Sequence, residues 1–355
     1  MLKEKTIKLV IFGLLALLLL AMPIMSACAQ QAPAPAPAPA PAPKPVEKIT
    51  LTAISAWKPD QWMTAKFIEF LGEVNKRAPD GRLEIRYAGG PEIIKAADQL
   101  TAVGEGSIDM FYSYSGYFSG VIPEIGIITL PLVERTRDNF MKLGRAIKGP
   151  LGEIVAEKTN TKLLAIHGPC IMSLVTKEAP LTKLADLKGL KTRATGGWDE
   201  AMLAALGAAP TKIPSPEIYT AAERGVIDAA SRPISAVHSW REYEVWNYIT
   251  PLPMYAIDGV MFMNMDTFNG LPTDLREFLV DIIREWEPIH EEYLIKYDDE
   301  VIAKLVDLGM EVIELSPTEA AKYREIQIKT ALEYFPKVSP EHHKALTDAL
   351  KAGAG

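Results

Sequence analysis

Cysteine is nearly missing from this sequence, with only Cys28 and Cys170 among 355 residues. That scarcity excludes a disulfide framework and any paired-cysteine metal spacing. Cys170 therefore reads as a small buried apolar residue. Histidine is scarce as well, at five scattered positions without an HExxH pattern. His342 and His343 fall in a polar C-terminal helix and read as a solvated face. There is no GxSxG elbow and no phosphate-binding glycine loop, so the usual nucleophile and nucleotide sites are absent. A basic surplus is lacking too: 38 Lys and Arg stand against 45 Asp and Glu, a net charge of −7, which argues against nucleic acid as a partner. No internal repeat is visible. The sequence thus favours a binding protein, with an extracytoplasmic ester hydrolase as the alternative from another class.

The N-terminus carries an address. Lys3, Lys5 and Lys8 precede an apolar run from Leu9 to Met25, followed by Ser26, Ala27 and Cys28. A basic end, an apolar centre and small residues before a cleavage point are the parts of a secretory signal over 1–27. Cys28 resembles the lipid-bearing cysteine of a bacterial lipobox. The competing reading is an uncleaved anchor, although the run of about 17 residues holds Pro23 and a spanning helix needs about 20. Removing 1–27 takes away Lys3, Lys5, Lys8 and Glu4 and moves the charge from −7 to −9. Residues 28–47 then form a lipid-anchored linker. Ala32 to Pro45 is an almost strict Ala-Pro alternation, a semi-rigid spacer of about 40 Å that holds a receptor clear of a membrane.

Roughly 300 residues remain, enough for two lobes with separate cores. Strands are expected at 49–56, 82–87, 109–114 and 162–167, with helices at 61–77, 92–104 and 136–148. Such alternation implies largely parallel pairing covered by helices. Gly168-Pro169 is a plausible crossing into a second lobe, and 260–264 reads as a returning strand. From Asp274 to about Leu305 the pattern is helical and contains Pro288, which implies either one kinked helix or two helices meeting at Glu287-Pro288. Its acidic pairs Glu291-Glu292 and Asp298-Asp299 are expected to face water.

The stretch 187–237 says most about function. A short strand ends at Arg193 and runs through Ala194, Thr195, Gly196 and Gly197 into a helix near Trp198 and Asp199. A helix start carries unpaired N–H donors and partial positive charge, so beside an arginine it favours a carboxylate or phosphate. Further elements are expected as a strand at 211–213, a helix at 216–224 and a strand at 226–230.

In this stretch LKGLK precedes the arginine, LGA follows the first helix, PEIY opens the second and ERGVIDA closes it. That order, with GSIDM at 106–110 and NGLPTDLREFL at 269–279, resembles the DctP-type solute-binding proteins of TRAP transporters from about Ile49 to Phe335. The resemblance implies an α/β, two-lobed periplasmic-binding-protein-like fold, with mixed sheets in each lobe and a long kinked connecting helix. Lobe I is expected over 48–168 and 259–298, lobe II over 169–258 and 299–355. It implies an extracytoplasmic receptor, not an enzyme, that captures an organic acid between the lobes and delivers it to a TRAP permease. A receptor for an ATP-driven importer or a sensor kinase is the alternative in binding. No cofactor is expected, although some relatives bind their ligand together with a cation.

Arg193 would be the family's central carboxylate-binding arginine, and its planar fork suits a bidentate carboxylate. The plain alternative is a surface arginine paired with an acid. Tyr114 and Tyr117 end a first-lobe strand and either pack on a ligand or belong to the core. Trp57 and Trp198 either wall the cleft or close packing gaps beside turns. His167, ending a strand at the lobe boundary, either touches a ligand or serves as a hydrogen-bonded hinge residue. Two departures from the family pattern stand out. No arginine occurs near Ser173, where many relatives carry one, whereas Arg232 in AASRP is unusual. Arg232 either supplies the missing charge to the cleft or neutralises a surface acid. Gly196 replaces an asparagine found in some relatives and opens room for a different ligand shape.

Overall fold

A computed structural model describes residues 47–133 and 139–354. The signal-like segment, Cys28 and the Ala-Pro stretch lie outside the described residues. The first strand, β1 (Ile49–Ser55), runs parallel to both β2 (Leu83–Gly89) and β3 (Met110–Ser113). Helices α1 (Trp62–Arg77) and α2 (Gln99–Gly104) make the connections. Helix α1 buries Met63, Phe67, Phe70, Leu71 and Val74 at helical spacing. Each such side chain, fully buried, contributes about 1.5–3 kcal/mol. The helix expected over 92–104 is shorter, a 3-10 turn at Ala96–Asp98 leading into α2.

Helix α3 (Phe140–Thr159) ends at Asn160 in the left-handed conformation, φ 52°, and leads into β4 (Thr161–Thr176). The second half of the molecule contains β5 (Lys191–Ala194), α4 (Trp198–Ala205), β6 (Ala209–Lys212), α5 (Ser215–Glu223), β7 (Ala229–Pro233) and α6 (Ile234–Ser239). Strand β8 (Tyr248–Asn264) then returns, followed by α7 (Met265–Gly270), α8 (Thr273–Asp307), β9 (Glu311–Val312), α9 (Pro317–Val338) and α10 (His343–Ala354).

The strand order is β2-β1-β3-β8-β4-β7-β5-β6, with β9 beside β8. Antiparallel β3–β8, β8–β4 and β4–β7 pairs separate the parallel groups at either end. The result is two mixed halves sharing the long strands β4 and β8. The segments expected as short strands, 162–167 and 260–264, are therefore parts of strands of 16 and 17 residues. Gly168-Pro169 and the prolines of β8 read as breakers, yet the ladder continues past them. Gly168 adopts φ 95° within β4, a conformation open to glycine. Pro251 faces Ser173 where the register shifts, and a bulge tolerates a residue without an N–H.

Helix α8 is one element of 35 residues with Pro288 inside it, about 50 Å long. Its buried stripe runs unbroken through Leu275, Leu279, Ile283, His290, Leu294 and Val301. Leu275 to Leu294 pack in the larger apolar core, whereas Val301 and Leu305 pack in a second core with Ile218, Trp246 and Ile249. One helix thus serves both cores, which excludes two helices meeting at Glu287-Pro288.

Asp298 overturns an expectation. It is buried, 2% exposed, and its Oδ2 accepts the Ile171 N–H of β4 at 2.7 Å, because its position falls on the apolar stripe of α8. Glu292 and Asp299 are exposed, and Glu291 is half-buried. His342 is likewise not on a free face, since its Nδ1 lies 3.0 Å from Oε1 of buried Glu124. Helix α10 packs on α3, and α9 packs on α4.

Candidate functional site

Strand β5 lies between parallel neighbours, with Arg193 opposite Thr211 of β6 and Ala230 of β7. Neighbours on both sides bury it, and Arg193 is 1% exposed. Its Nε donates to the Ile213 carbonyl at 2.8 Å and its Nη1 to the Ser231 carbonyl at 2.9 Å. Nη2 has no hydrogen-bond partner among the described residues. Two carbonyls aim the guanidinium without neutralising it. Burial pushes the Arg193 pKa down, and the neighbouring Arg232 pushes it further, while Tyr117, Asp199 and Glu242 pull it back.

The guanidinium lines a cavity that opens toward solvent. Trp57, Trp62, Tyr114, Tyr117 and Trp240 supply aromatic walls, and Cys170 and Met172 add soft apolar surface. The charged side chains among the described lining residues are Arg193 and Arg232, with no Asp or Glu. Both arginines belong to the second half of the fold, whereas Trp57, Tyr114 and Tyr117 belong to the first. Tyr117 donates to Ser215 Oγ at 2.9 Å and Gln61 Nε2 donates to the Ser239 carbonyl at 3.2 Å, so contacts join the two sides.

Arg232, on β7, lines this cavity and is itself paired behind it. Its Nε and Nη2 donate to the two oxygens of Glu242 at 3.0 and 2.6 Å, and its Nη1 to Ser215 Oγ at 2.9 Å. Both partners of the ion pair are buried, Arg232 at 2% and Glu242 at 0% exposure. The structure places Arg232 on the cavity lining and pairs it with a buried acid, not a surface one.

Gly196 and Trp198 line an adjoining cavity, which shares Tyr114, Met172 and Thr195 with the first. Asp199 also lines it, and its Oδ2 accepts the Thr195 N–H at 2.9 Å and the Thr195 hydroxyl at 3.1 Å. Arg193 thus lines the first cavity and the start of α4 the adjoining one, with Thr195 on both. The positive end of α4 has acids of its own, Asp199 and Glu200, in its first turn. Gly197, at φ 56°, answers a packing need, since a Cβ there would stand 2.9 Å from Ser119 Oγ of the first half.

His167 lines neither cavity. It is enclosed, 5.0 Å from the Tyr112 ring, 4.7 Å from Trp286 and 4.6 Å from His290. Neither ring nitrogen has a hydrogen-bond partner among the described residues, so it is stacked rather than hydrogen-bonded. Gly259 stands opposite it, and the Tyr112 ring occupies the space a Cβ at Gly259 would need.

Sequence reasoning missed Gln61, Trp62, Thr195, Ser215, Trp240 and Glu242. Ser215 carried a usable signal, being the residue that opens α5 just before Pro216. Glu242 carried none, because the pairing spans ten residues across α6.

A two-lobed α/β fold with an aromatic cavity lined by a buried arginine is the setting in which the chain's likeness to solute-binding proteins is found. The profile of bacterial extracellular solute-binding proteins, family 7 (DctP), matches residues 54–337, and the chain belongs to that family of TRAP-transporter receptors. The family consists of receptors, not enzymes. The chain is 27% identical over 253 residues to the 2,3-diketo-L-gulonate-binding periplasmic protein YiaO of Escherichia coli (strain K12), covering 70% of this chain and 75% of that one. A TRAP periplasmic solute-binding protein from Desulfovibrio salexigens, solved with bound orotic acid, has the same fold, with a TM-score of 0.80 at 19% identity. That match covers 86% of this chain and 98% of the other. A Bordetella pertussis extracytoplasmic solute receptor binding pyroglutamic acid superposes with a TM-score of 0.78 at 23% identity, over 85% of this chain and 99% of that one.

Proposed function

We propose that this protein captures an organic acid in the Arg193 cavity and delivers it to the membrane permease of a TRAP transporter. One observation carries the reading: a fully buried guanidinium presents an unpartnered nitrogen beside a cavity without acids among its described lining residues. A buried cation lacking a counter-ion is costly, and a ligand carboxylate supplies the missing partner. Trp57, Tyr114, Tyr117 and Trp240 then select the ligand's apolar body. The organic acids bound by the two solved relatives, orotic and pyroglutamic acid, fit a ring between such walls. His167 has no part in the contact. Gly196 and Trp198 shape the adjoining space.

The mechanism is a population shift between open and closed arrangements. The proposed lobes are 48–168 with 259–298, and 169–258 with 299 onward, with α10 fastened to α3 of the first lobe. Ligand bridging Arg193 on one lobe and Trp57, Tyr114 and Tyr117 on the other stabilises the closed form, which the permease recognises. The working place is the extracytoplasmic side, with Cys28 as the lipid attachment point and the Ala-Pro stretch as the tether. The direct test is a thermal-shift screen of organic acids against their methyl esters and amides. Acids should raise the melting temperature and neutral analogues should not. Equal shifts from both would remove the carboxylate from the reading.

A further inference from the structure

We infer that Glu242 sets the charge of the ligand, making this a receptor for monoanionic carboxylates that discriminates against dicarboxylates. The inference rests on the organic-acid reading of the same cavity and adds the ligand's charge to it. Two guanidinium groups line the cavity, so a count of its surface charges alone suggests a dianion. The structure shows otherwise. Glu242, 0% exposed and outside the lining, occupies the fork of Arg232 through both oxygens. The remaining contact of Arg232, from Nη1, goes to Ser215 Oγ, which also accepts from Tyr117. Arg232 is thereby neutralised and held in place, whereas Arg193 bonds only to two backbone carbonyls and has no ion-pair partner among the described residues.

A ligand with one carboxylate completes that balance. A second carboxylate would find Arg232 already forked and Asp199 nearby, itself held by Thr195 in the adjoining cavity. A buried charge without a partner weakens binding strongly, and like-charge juxtaposition is a recognised route to rejecting a competitor. Ser215, Tyr117 and Arg232 remain suited to a neutral hydroxyl or carbonyl group of the ligand, because hydroxyls can accept and donate.

The test uses the full chain and matched pairs of probes: succinate with succinamate, glutarate with glutaramate, and phthalate with phthalamate. Each pair differs in one carboxylate exchanged for an amide. Calorimetric titration of the wild type should favour the monoanion of every pair that binds, by roughly tenfold or more. Glu242→Gln releases Arg232, so the preference should shrink or reverse. Should that variant fail to fold, the double change Arg232→Leu with Glu242→Leu removes both charges together and should keep the monoanion preference. A wild type that favours the diacids overturns this inference while leaving the organic-acid reading intact. An unchanged ratio in folded Glu242→Gln, or loss of the preference in the double variant, also overturns it. If neither monoacids nor diacids bind while neutral solutes do, the organic-acid reading falls and this inference falls with it.

Discussion

Ser173 of β4 and Arg232 of β7 face each other on one rung of the antiparallel ladder, and the Ser173 hydroxyl donates to the Arg232 carbonyl at 2.9 Å. Directly opposed residues share a face of the sheet. The two positions at which the sequence was expected to depart from the family pattern are therefore neighbours in space. Arg232 is bound by Glu242, so the fold holds this cation together with its counter-ion.

Arg193→Ala should weaken organic-acid binding by about tenfold to 150-fold, the equivalent of a charge-assisted hydrogen bond of about 1.5–3 kcal/mol. The unliganded variant should be no less stable in urea than the wild type, because a buried charge without an acid partner has been removed. Calorimetry giving affinity within twofold of wild type would take Arg193 out of the site.

Much of this site was legible because strand, glycine turn and helix follow one another locally between 191 and 205. Arg193, Tyr114, Tyr117, Trp57 and Arg232 all reach the same cavity. The rest depends on contacts between distant segments. Glu242 reaches Arg232 across α6, and Ser215 is joined to Tyr117 over 98 residues. The length of β4 and β8 was hidden for a related reason. Glycine and proline signal breaks locally, while cross-strand pairing decides whether the ladder continues. Asp298 shows the same limit, since a carboxylate pair on a helix reads as solvated until the strand beside it is known.

Cys28→Ser should move the protein from the membrane fraction to the soluble fraction with unchanged ligand affinity. A single acyl chain anchors only marginally, whereas a lipoprotein's several chains hold firmly. Retention of the serine variant in membranes would mean that the apolar run from Leu9 to Met25 is itself the anchor.

Asp298→Ala should destabilise the protein by about 1–3 kcal/mol, because the half-buried Ile171 N–H loses its charged acceptor. Helix α8 would lose a polar tie to β4 where both pass between the two halves. Urea unfolding measures the loss directly. A change below about 0.5 kcal/mol would show that the tie is dispensable.

His290 should make stability fall in acid. It is 2% exposed on α8, and burial, aided by Lys66, pushes its pKa down to about 3. His167 is pushed in the same direction by burial, His290 and Lys148. Below the ordinary imidazole value of 6.5 the unfolded chain takes up protons that the folded chain refuses until about pH 3. The unfolded state then binds more protons, so stability is fully present above 6.5 and declines as pH falls through that window. Glu291 acts oppositely, since burial raises it from 4.5 to about 7 and its protonated form favours the folded state between those values. The total pH profile therefore mixes the two, and a difference measurement separates them. The stability of wild type relative to His290→Phe should drop by about 1.4 kcal/mol per pH unit between pH 6 and 4. Urea titrations of both proteins at pH 7, 6, 5 and 4 provide the difference, and a value independent of pH would show that His290 is protonated in the folded protein as readily as in the unfolded chain.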